Sequence, residues 1–267
     1  MDPRLEHLGS LISDLARKEI LSRFLDTPAE TKADGSLLTE ADSAMQSAVI
    51  KALKKKYPKI NVLGEEMSAD QQQAMLNEGN PFWCVDPLDG TTNFAAGMPV
   101  FSVSVALVEQ GKPVLGVVYD PIRGECFSAA AGQGAWLNGL PLHVRPWTRG
   151  LSEAVAVVDF KRLSRDLSVN LVTDPPYRSQ RNLGTCALEW AWLAAGRFQL
   201  YLHGGQKLWD HAAGALIARE AGVQVLTPQG EPVIANDLAP CPVLAATDMP
   251  LWVQWHDEVS PFVTQPS

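Results

Sequence analysis

Residues 83–94 read WCVDPLDGTTNF, with Asp86 and Asp89 three apart on either side of Pro87 and Gly90, Thr91 and Thr92 following at once. Other acidic residues share their setting: Glu65 and Glu66 follow LG, and Asp210 follows Trp209. Each stands at the exit of an apolar run rather than on a charged helix face, at the end of a core element. Carboxylates there are costly unless hydrogen-bonded, protonated or paired with cations. A cluster of four or five cannot all ionise at pH 7 without a counterion. Hard oxygen donors without His or Cys select Mg2+, Mn2+ or Ca2+ over zinc.

The backbone chemistry of the stretch favours such a cluster. Pro87 removes a donor and fixes its own φ, so the chain is expected to leave its strand at Asp86 and turn, aiming Asp86 and Asp89 the same way. Gly90 permits close approach of backbone to ligand. If Gly90, Thr91 and Thr92 open a helical turn, their N–H groups make an anion site beside the cations, which is how phosphate is held for transfer to water. Ordinary roles compete at single positions. Asp89–Gly90 is a turn pair, Asp42 completes a capping box with Thr39, and Asp210 suits a helix N-terminus. Capping does not explain why Glu65, Asp86 and Asp89 all gather at apolar exits.

The elements that must carry these residues are mixed. Leu5, Leu8, Ile12 and Leu15, continued by Ile20 and Phe24, predict an amphipathic helix over 3–25. TPAETKADGSLL (27–38) reads as a polar loop or hairpin. From Thr39 a second helix puts Met45, Ala48, Val49, Ala52 and Leu53 on one side and the lysines 51 and 54–56 on a solvated face. A Gln-rich helix and a strand-rich stretch over 81–138 follow, and the alternation in FSVSVALV is that of a half-buried strand. Two prolines and two arginines in 139–152 mark a boundary, which divides the chain into units 1–148 and 149–267. Beyond it come a short buried helix in GTCALEWAWLAAG, the strand RFQLYLH, and a second helix in WDHAAGALIAREAGV. Interleaved strands and helices make the class mixed α and β.

Bulk properties narrow the function. The chain has 267 residues, 46% hydrophobic and 19% charged, and is long enough to bury a substantial core. A net charge of −8 argues against a nucleic-acid polymer, although a small phosphorylated molecule suits it once a metal supplies local positive charge. Cys84, Cys126, Cys186 and Cys241 are scattered without CxxC spacing and read as buried thiols. No run approaches the roughly 18 apolar residues of a membrane span. MDPRLEHLGS lacks the positive start of a signal peptide, so a cytoplasmic protein with no membrane partner is expected.

Four blocks, in order, resemble the inositol monophosphatase family of Mg2+-dependent, lithium-sensitive phosphomonoesterases: TKADGSLLTEAD at 31–42, GEE at 64–66, WCVDPLDGTTNF at 83–94 and WDHAAGALIAREAG at 209–222. The resemblance covers about Lys32 to Gly222. It implies an α+β fold of alternating α, β, α, β, α layers, the inositol monophosphatase and fructose-1,6-bisphosphatase type, with the site between subdomains and usually a homodimer. It implies a first Mg2+ on Glu65, Asp86 and the Leu88 carbonyl, a second on Asp86, Asp89 and Asp210, and a third, weaker one on Glu65 through waters; Mn2+ is an alternative and Li+ an inhibitor. Thr91, hydrogen-bonded to Asp42, would activate the attacking water. The amides of Gly90 and Thr91 would receive the phosphate, with Gly184, Thr185 and Cys186 near the substrate hydroxyls. The implied reaction is in-line displacement without a phosphoenzyme.

Substrate choice is where this chain departs from the pattern. Inositol-specific members carry a glutamate seven residues before the aspartate of the last block; here His203 stands there, in YLHGGQKLWD, and Cys186 replaces a common alanine. A histidine lacks the paired acceptors that vicinal hydroxyls need, which leaves inositol 1-phosphate in question; alternatively, His203 is a bystander on a loop. Candidate substrates are inositol monophosphate, a 3′-phosphoadenosine-type nucleotide, fructose 1,6-bisphosphate and histidinol phosphate. Gln206 and Lys207 would favour a second anionic group unless they simply face solvent. A binding protein that senses a phosphometabolite or a protein partner is the non-catalytic alternative, and retention of Thr91 with Asp42 speaks for catalysis.

Overall fold

The computed structural model describes residues 2–25, 28–32, 35 and 37–263. Helix α1 (Pro3–Glu19) ends earlier than its apolar periodicity suggests, because Leu21–Arg23 tightens into a 3₁₀ turn. Strands β1 (Ala29–Thr31) and β2 (Leu37–Thr39) pair antiparallel, so the polar segment is a hairpin; Thr27, Ala33, Asp34 and Ser36 lie outside the described residues. Helix α2 (Glu40–Lys56) is opened by the Thr39 capping box, and lysines 51 and 54–56 lie on its exposed side.

A seven-stranded sheet follows in the order β3 (Asn61–Gly64), β4 (Phe82–Asp89), β5 (Ser102–Glu109), β6 (Lys112–Asp120), β7 (Glu125–Ala130), β8 (Gly134–Leu137) and β9 (Leu140–Leu142), with helix α3 (Ala69–Asn77) between β3 and β4. Only β3 and β4 are parallel. The five-stranded sheet runs β11 (Ser179–Arg181), β10 (Val155–Asp159), β12 (Leu200–Gln206), β14 (Cys241–Ala246), β13 (Gln224–Leu226). Between the sheets lie α6 (Cys186–Ala194) and α7 (Leu208–Glu220), while α5 (Arg165–Thr173) and α8 (Met249–Val259) cover the outer face of the second sheet.

The strand period assigns side chains to these layers. Trp83, Val85, Val103, Val105 and Leu107 join α1 and α2 in one core, whereas Cys84, Ala106 and Val108 join α6 and α7 in another that also takes Val157, Tyr201 and Ala245 from the second sheet. A third core unites α5 and α8 with Val158, Leu200 and Leu244. The order is therefore α, β, α, β, α. Covering on both faces corrects one expectation: β5 is not half-buried, and Ser102 and Ser104 face the protein interior. Among the described residues no helix is long and apolar enough to cross a membrane. All four cysteines are free; Cys84 is buried and the others partly so.

Candidate active site

Strand β4 does not end at Asp86. Its register passes from Asp86 opposite Ser104 to Asp89 opposite Ser102, three steps against two. Residues three apart on a regular strand face opposite sides; the one extra residue, a bulge at Pro87 and Leu88, returns Asp89 to the side of Asp86. Gly90 (φ 95°) then caps the short helix α4 (Thr91–Ala95), as the sequence suggests. Its conformation and the closeness of Thr185 Cβ, 3.2 Å from where a Cβ would stand, both require glycine.

These turns open onto one cavity of about 630 Å3, lined by Glu65, Asp86, Leu88, Asp89, Gly90, Thr91, Gly184, Thr185, Cys186, His203 and Asp210. Leu88 offers it only backbone, since its side chain is buried in the α1–α2 core. Asp42, fully buried on α2, reaches it through Thr91, whose Oγ1 lies 3.0 Å from both Asp42 Oδ1 and the Leu88 carbonyl.

The carboxylates combine ordinary and site roles. Asp42 Oδ2 accepts from Thr39 N (2.7 Å), leaving Oδ1 for Thr91. Asp210 Oδ2 accepts from Lys207 N (2.8 Å), and Asp86 Oδ1 accepts from Leu88 N (3.1 Å). Asp89 accepts from Thr185 Oγ1 (2.5 Å), Ser102 Oγ (3.1 Å), Cys186 N (3.0 Å) and Ala187 N (2.8 Å), so a first-sheet carboxylate caps α6. Ser104 Oγ donates to the Trp209 carbonyl (3.0 Å) and fixes the start of α7, which carries Asp210.

Burial pushes these acids upward. Asp210 rises to about 8 through burial and the neighbouring charges of Asp89 and Glu65. Asp86 lies well above the carboxylate range through burial and the charges of Glu65, Asp89 and Asp210, and it shares a hydrogen bond with Glu65. Asp42 and Glu65 also rise through burial, as does Asp89 against its four donors. Such a group favours any arriving cation. One already stands there: Lys32 Nζ lies 3.1 Å from Glu65 Oε1 and 2.6 Å from Glu66 Oε1. Among the described residues no three His, Cys, Asp or Glu side chains stand close enough together to hold a metal ion as they are. Lys32 stands on Glu65 and four donors on Asp89, and the side-chain donors of Glu65, Asp86, Asp89 and Asp210 are carboxylate oxygens, the type that hard divalent ions take.

Two sequence readings need correction. His203 is not on a loop: it is buried in β12, with Nδ1 accepting from Gly205 N (3.1 Å) and Nε2 3.1 Å from Asp159 Oδ2 and 3.5 Å from Cys186 Sγ. Gln206 and Lys207 do not line the cavity. Gln206 is buried against Trp190 Nε1 (2.9 Å) and the Tyr201 hydroxyl, whereas Lys207 faces solvent, the alternative the sequence allowed. Sequence reasoning missed Asp159, Lys161, Arg162, Asn182 and Glu189, which also line it. Asp159 ends the apolar run AVAVV by the rule applied to the other acids, and Glu189 is the one charge in the apolar helix CALEWAWLA. Glu189 accepts from Leu183 N (2.8 Å), and burial raises it to about 8.

The sequence profile of the inositol monophosphatase family matches residues 7–258. The chain is 38% identical over 204 residues to the Nus factor SuhB of Pasteurella multocida, covering 74% of each. It is 38% identical over 206 residues to inositol monophosphatase 1 of Solanum lycopersicum, covering 74% of this chain and 75% of the other. An IMPase/NADP phosphatase solved in complex with Mg2+ and phosphate superposes with a TM-score of 0.82 at 26% identity, over 96% of each chain. With this match over nearly its whole length, the chain belongs to the inositol monophosphatase family and is a phosphoric monoester hydrolase.

Proposed function

We propose that the protein hydrolyses a phosphate monoester of a small polyol or related metabolite with Mg2+, Mn2+ being an alternative, and that Li+ inhibits it. The observation that carries this reading is the meeting of the Thr91–Asp42 pair with Glu65, Asp86, Asp89 and Asp210 at one cavity. Glu65, Asp86, Asp89, Asp210 and the Leu88 carbonyl would hold two or three cations, which acidify a water and stabilise the leaving oxygen. Thr91 Oγ1 takes a hydrogen bond from the attacking water and passes its own to Asp42, which burial equips to accept a proton. The Gly90 and Thr91 amides receive the phosphate, and Gly184, Thr185, Cys186 and His203 border the remainder of the substrate. Units 1–148 and 149–267 each supply part of the site, and the working form is a homodimer in the cytoplasm. The relatives' inositol monophosphatase names and the solved Mg2+–phosphate complex support the chemistry.

Phosphate release from inositol 1-phosphate, 3′-phosphoadenosine 5′-phosphate, fructose 1,6-bisphosphate and histidinol phosphate tests it, with Mg2+, with EDTA and with added Li+. Turnover of at least one that stops in EDTA is expected. Silence on all four overturns the reading, and an Asp89→Asn variant with intact turnover overturns the metal assignment.

A further inference from the structure

Beside the carboxylates the cavity has a second chemical character. Lys161 and Arg162, in the 3₁₀ turn Phe160–Arg162 that follows β10, line it with Phe160. In an otherwise acidic cavity the first duty of a cation would be to neutralise a carboxylate. Lys161 does not do so: no ion pair or side-chain hydrogen bond engages its ammonium among the described residues, and Glu65 and Glu66 are held by Lys32. Arg162 engages Asp159 through Nη1 alone (3.0 Å), leaving the rest of its donor fork available.

The turn is held in place from beneath. Asp159 Oδ1 accepts from Lys161 N (3.0 Å), and Asp159 Oδ2 meets both Arg162 and His203. A Cβ on Gly204 of β12 would lie 1.8 Å from the Arg162 carbonyl oxygen, so the turn rests directly on a glycine surface. Two cations on a supported turn at a cavity of about 630 Å3 leave room for a ligand larger than one phosphate.

Resting on the phosphatase reading above, we propose that Lys161 and Arg162 form an anion subsite, so that the preferred substrate is a phosphate monoester carrying a second anionic group, a phosphate or a carboxylate. The scissile phosphate goes to the Gly90–Thr91 end, and the second group receives charge-assisted hydrogen bonds from the Phe160–Arg162 turn. Neutral polyol monophosphates lack that contact.

The test compares kcat/KM in Mg2+ for two matched pairs: fructose 1,6-bisphosphate against fructose 6-phosphate, and 3-phosphoglycerate against glycerol 3-phosphate. At least one member with two anionic groups is expected to be favoured about tenfold, a margin that shrinks with added salt because exposed charges are screened. The pair that shows the margin separates a phosphate from a carboxylate preference. Lys161→Glu should cut it about tenfold and Lys161→Arg should keep it. Ratios near one in both pairs, or a ratio unmoved by Lys161→Glu, overturn the subsite while leaving the phosphatase reading intact. Should none of these four be hydrolysed, the phosphatase reading still rests on the panel above, and titration calorimetry in Mg2+ decides the subsite. There, a margin of about tenfold in either pair, fructose 1,6-bisphosphate over fructose 6-phosphate or 3-phosphoglycerate over glycerol 3-phosphate, lost in Lys161→Glu, supports it; equal binding in both pairs overturns it.

Discussion

The site acids show how one residue serves structure and chemistry at once. A carboxylate has two oxygens, and Asp42, Asp86 and Asp210 each give one to a nearby backbone N–H, which orients the side chain and leaves the other oxygen for the site. Capping and site roles, posed as rivals in the sequence, are therefore compatible. His203 makes the same point about context. It stands where inositol-specific members carry glutamate, but its partners are Asp159 and Gly205 N. A His203→Glu variant would bury a second carboxylate against Asp159, a loss of about 3 kcal/mol in urea denaturation. No gain in inositol 1-phosphate turnover should accompany it. Unchanged stability together with raised inositol 1-phosphate turnover would show that position 203 alone selects the substrate.

At the scale of elements, close backbone approach decides the geometry. The β4 bulge puts Asp86 and Asp89 on one side, and glycines bring elements nearer than any side chain allows. Gly214 on α7 faces Trp190 of α6, with a Cβ placed 2.4 Å from Trp190 Cβ. Since α6 begins on Asp89 and α7 carries Asp210, their separation sets the site. Gly214→Ala must part the helices or displace the indole, for about 2 to 3 kcal/mol of lost stability by urea titration. A variant as stable as the parent would mean the two helices can slide without cost.

Across the whole molecule, proton binding is linked to folding. Asp210 and Glu189 are raised to about 8, and Glu65, Asp86 and Asp89 move the same way. In the metal-free protein the folded state keeps protons that the unfolded chain has released. Their stabilisation is complete below the ordinary carboxylate range and is lost as pH rises towards about 8. His211 works oppositely: burial lowers it to about 4, so its contribution is complete above its ordinary value of 6.5. The window from about pH 6.5 to 8 thus isolates the carboxylates, each worth up to about 1.4 kcal/mol per pH unit. In EDTA, Tm by scanning fluorimetry should fall across it. Mg2+ should raise Tm more at the alkaline end, where it competes with fewer protons, and Asp210→Asn should blunt both effects. A flat Tm in EDTA with a pH-independent Mg2+ effect would exclude the carboxylates as the cation site.

The sequence by itself determined the chemistry on offer and the kinds of element. Apolar periodicity marked α2, the strand-rich first half and the helices α6 and α7, and four short blocks identified the family, because local spacing, turns and caps are written within a few residues of one another. What only the tertiary structure decided depends on contacts across the chain. Ser102 and Ser104 alternate like surface residues yet are buried, because helices cover both faces of β5. Pro87 reads as a strand end and proves to be a bulge, because pairing with β5 continues past it. Lys32, Asp159, Lys161, Arg162 and Glu189 meet the site residues only through folding. Periodicity carries no information about which distant element packs opposite.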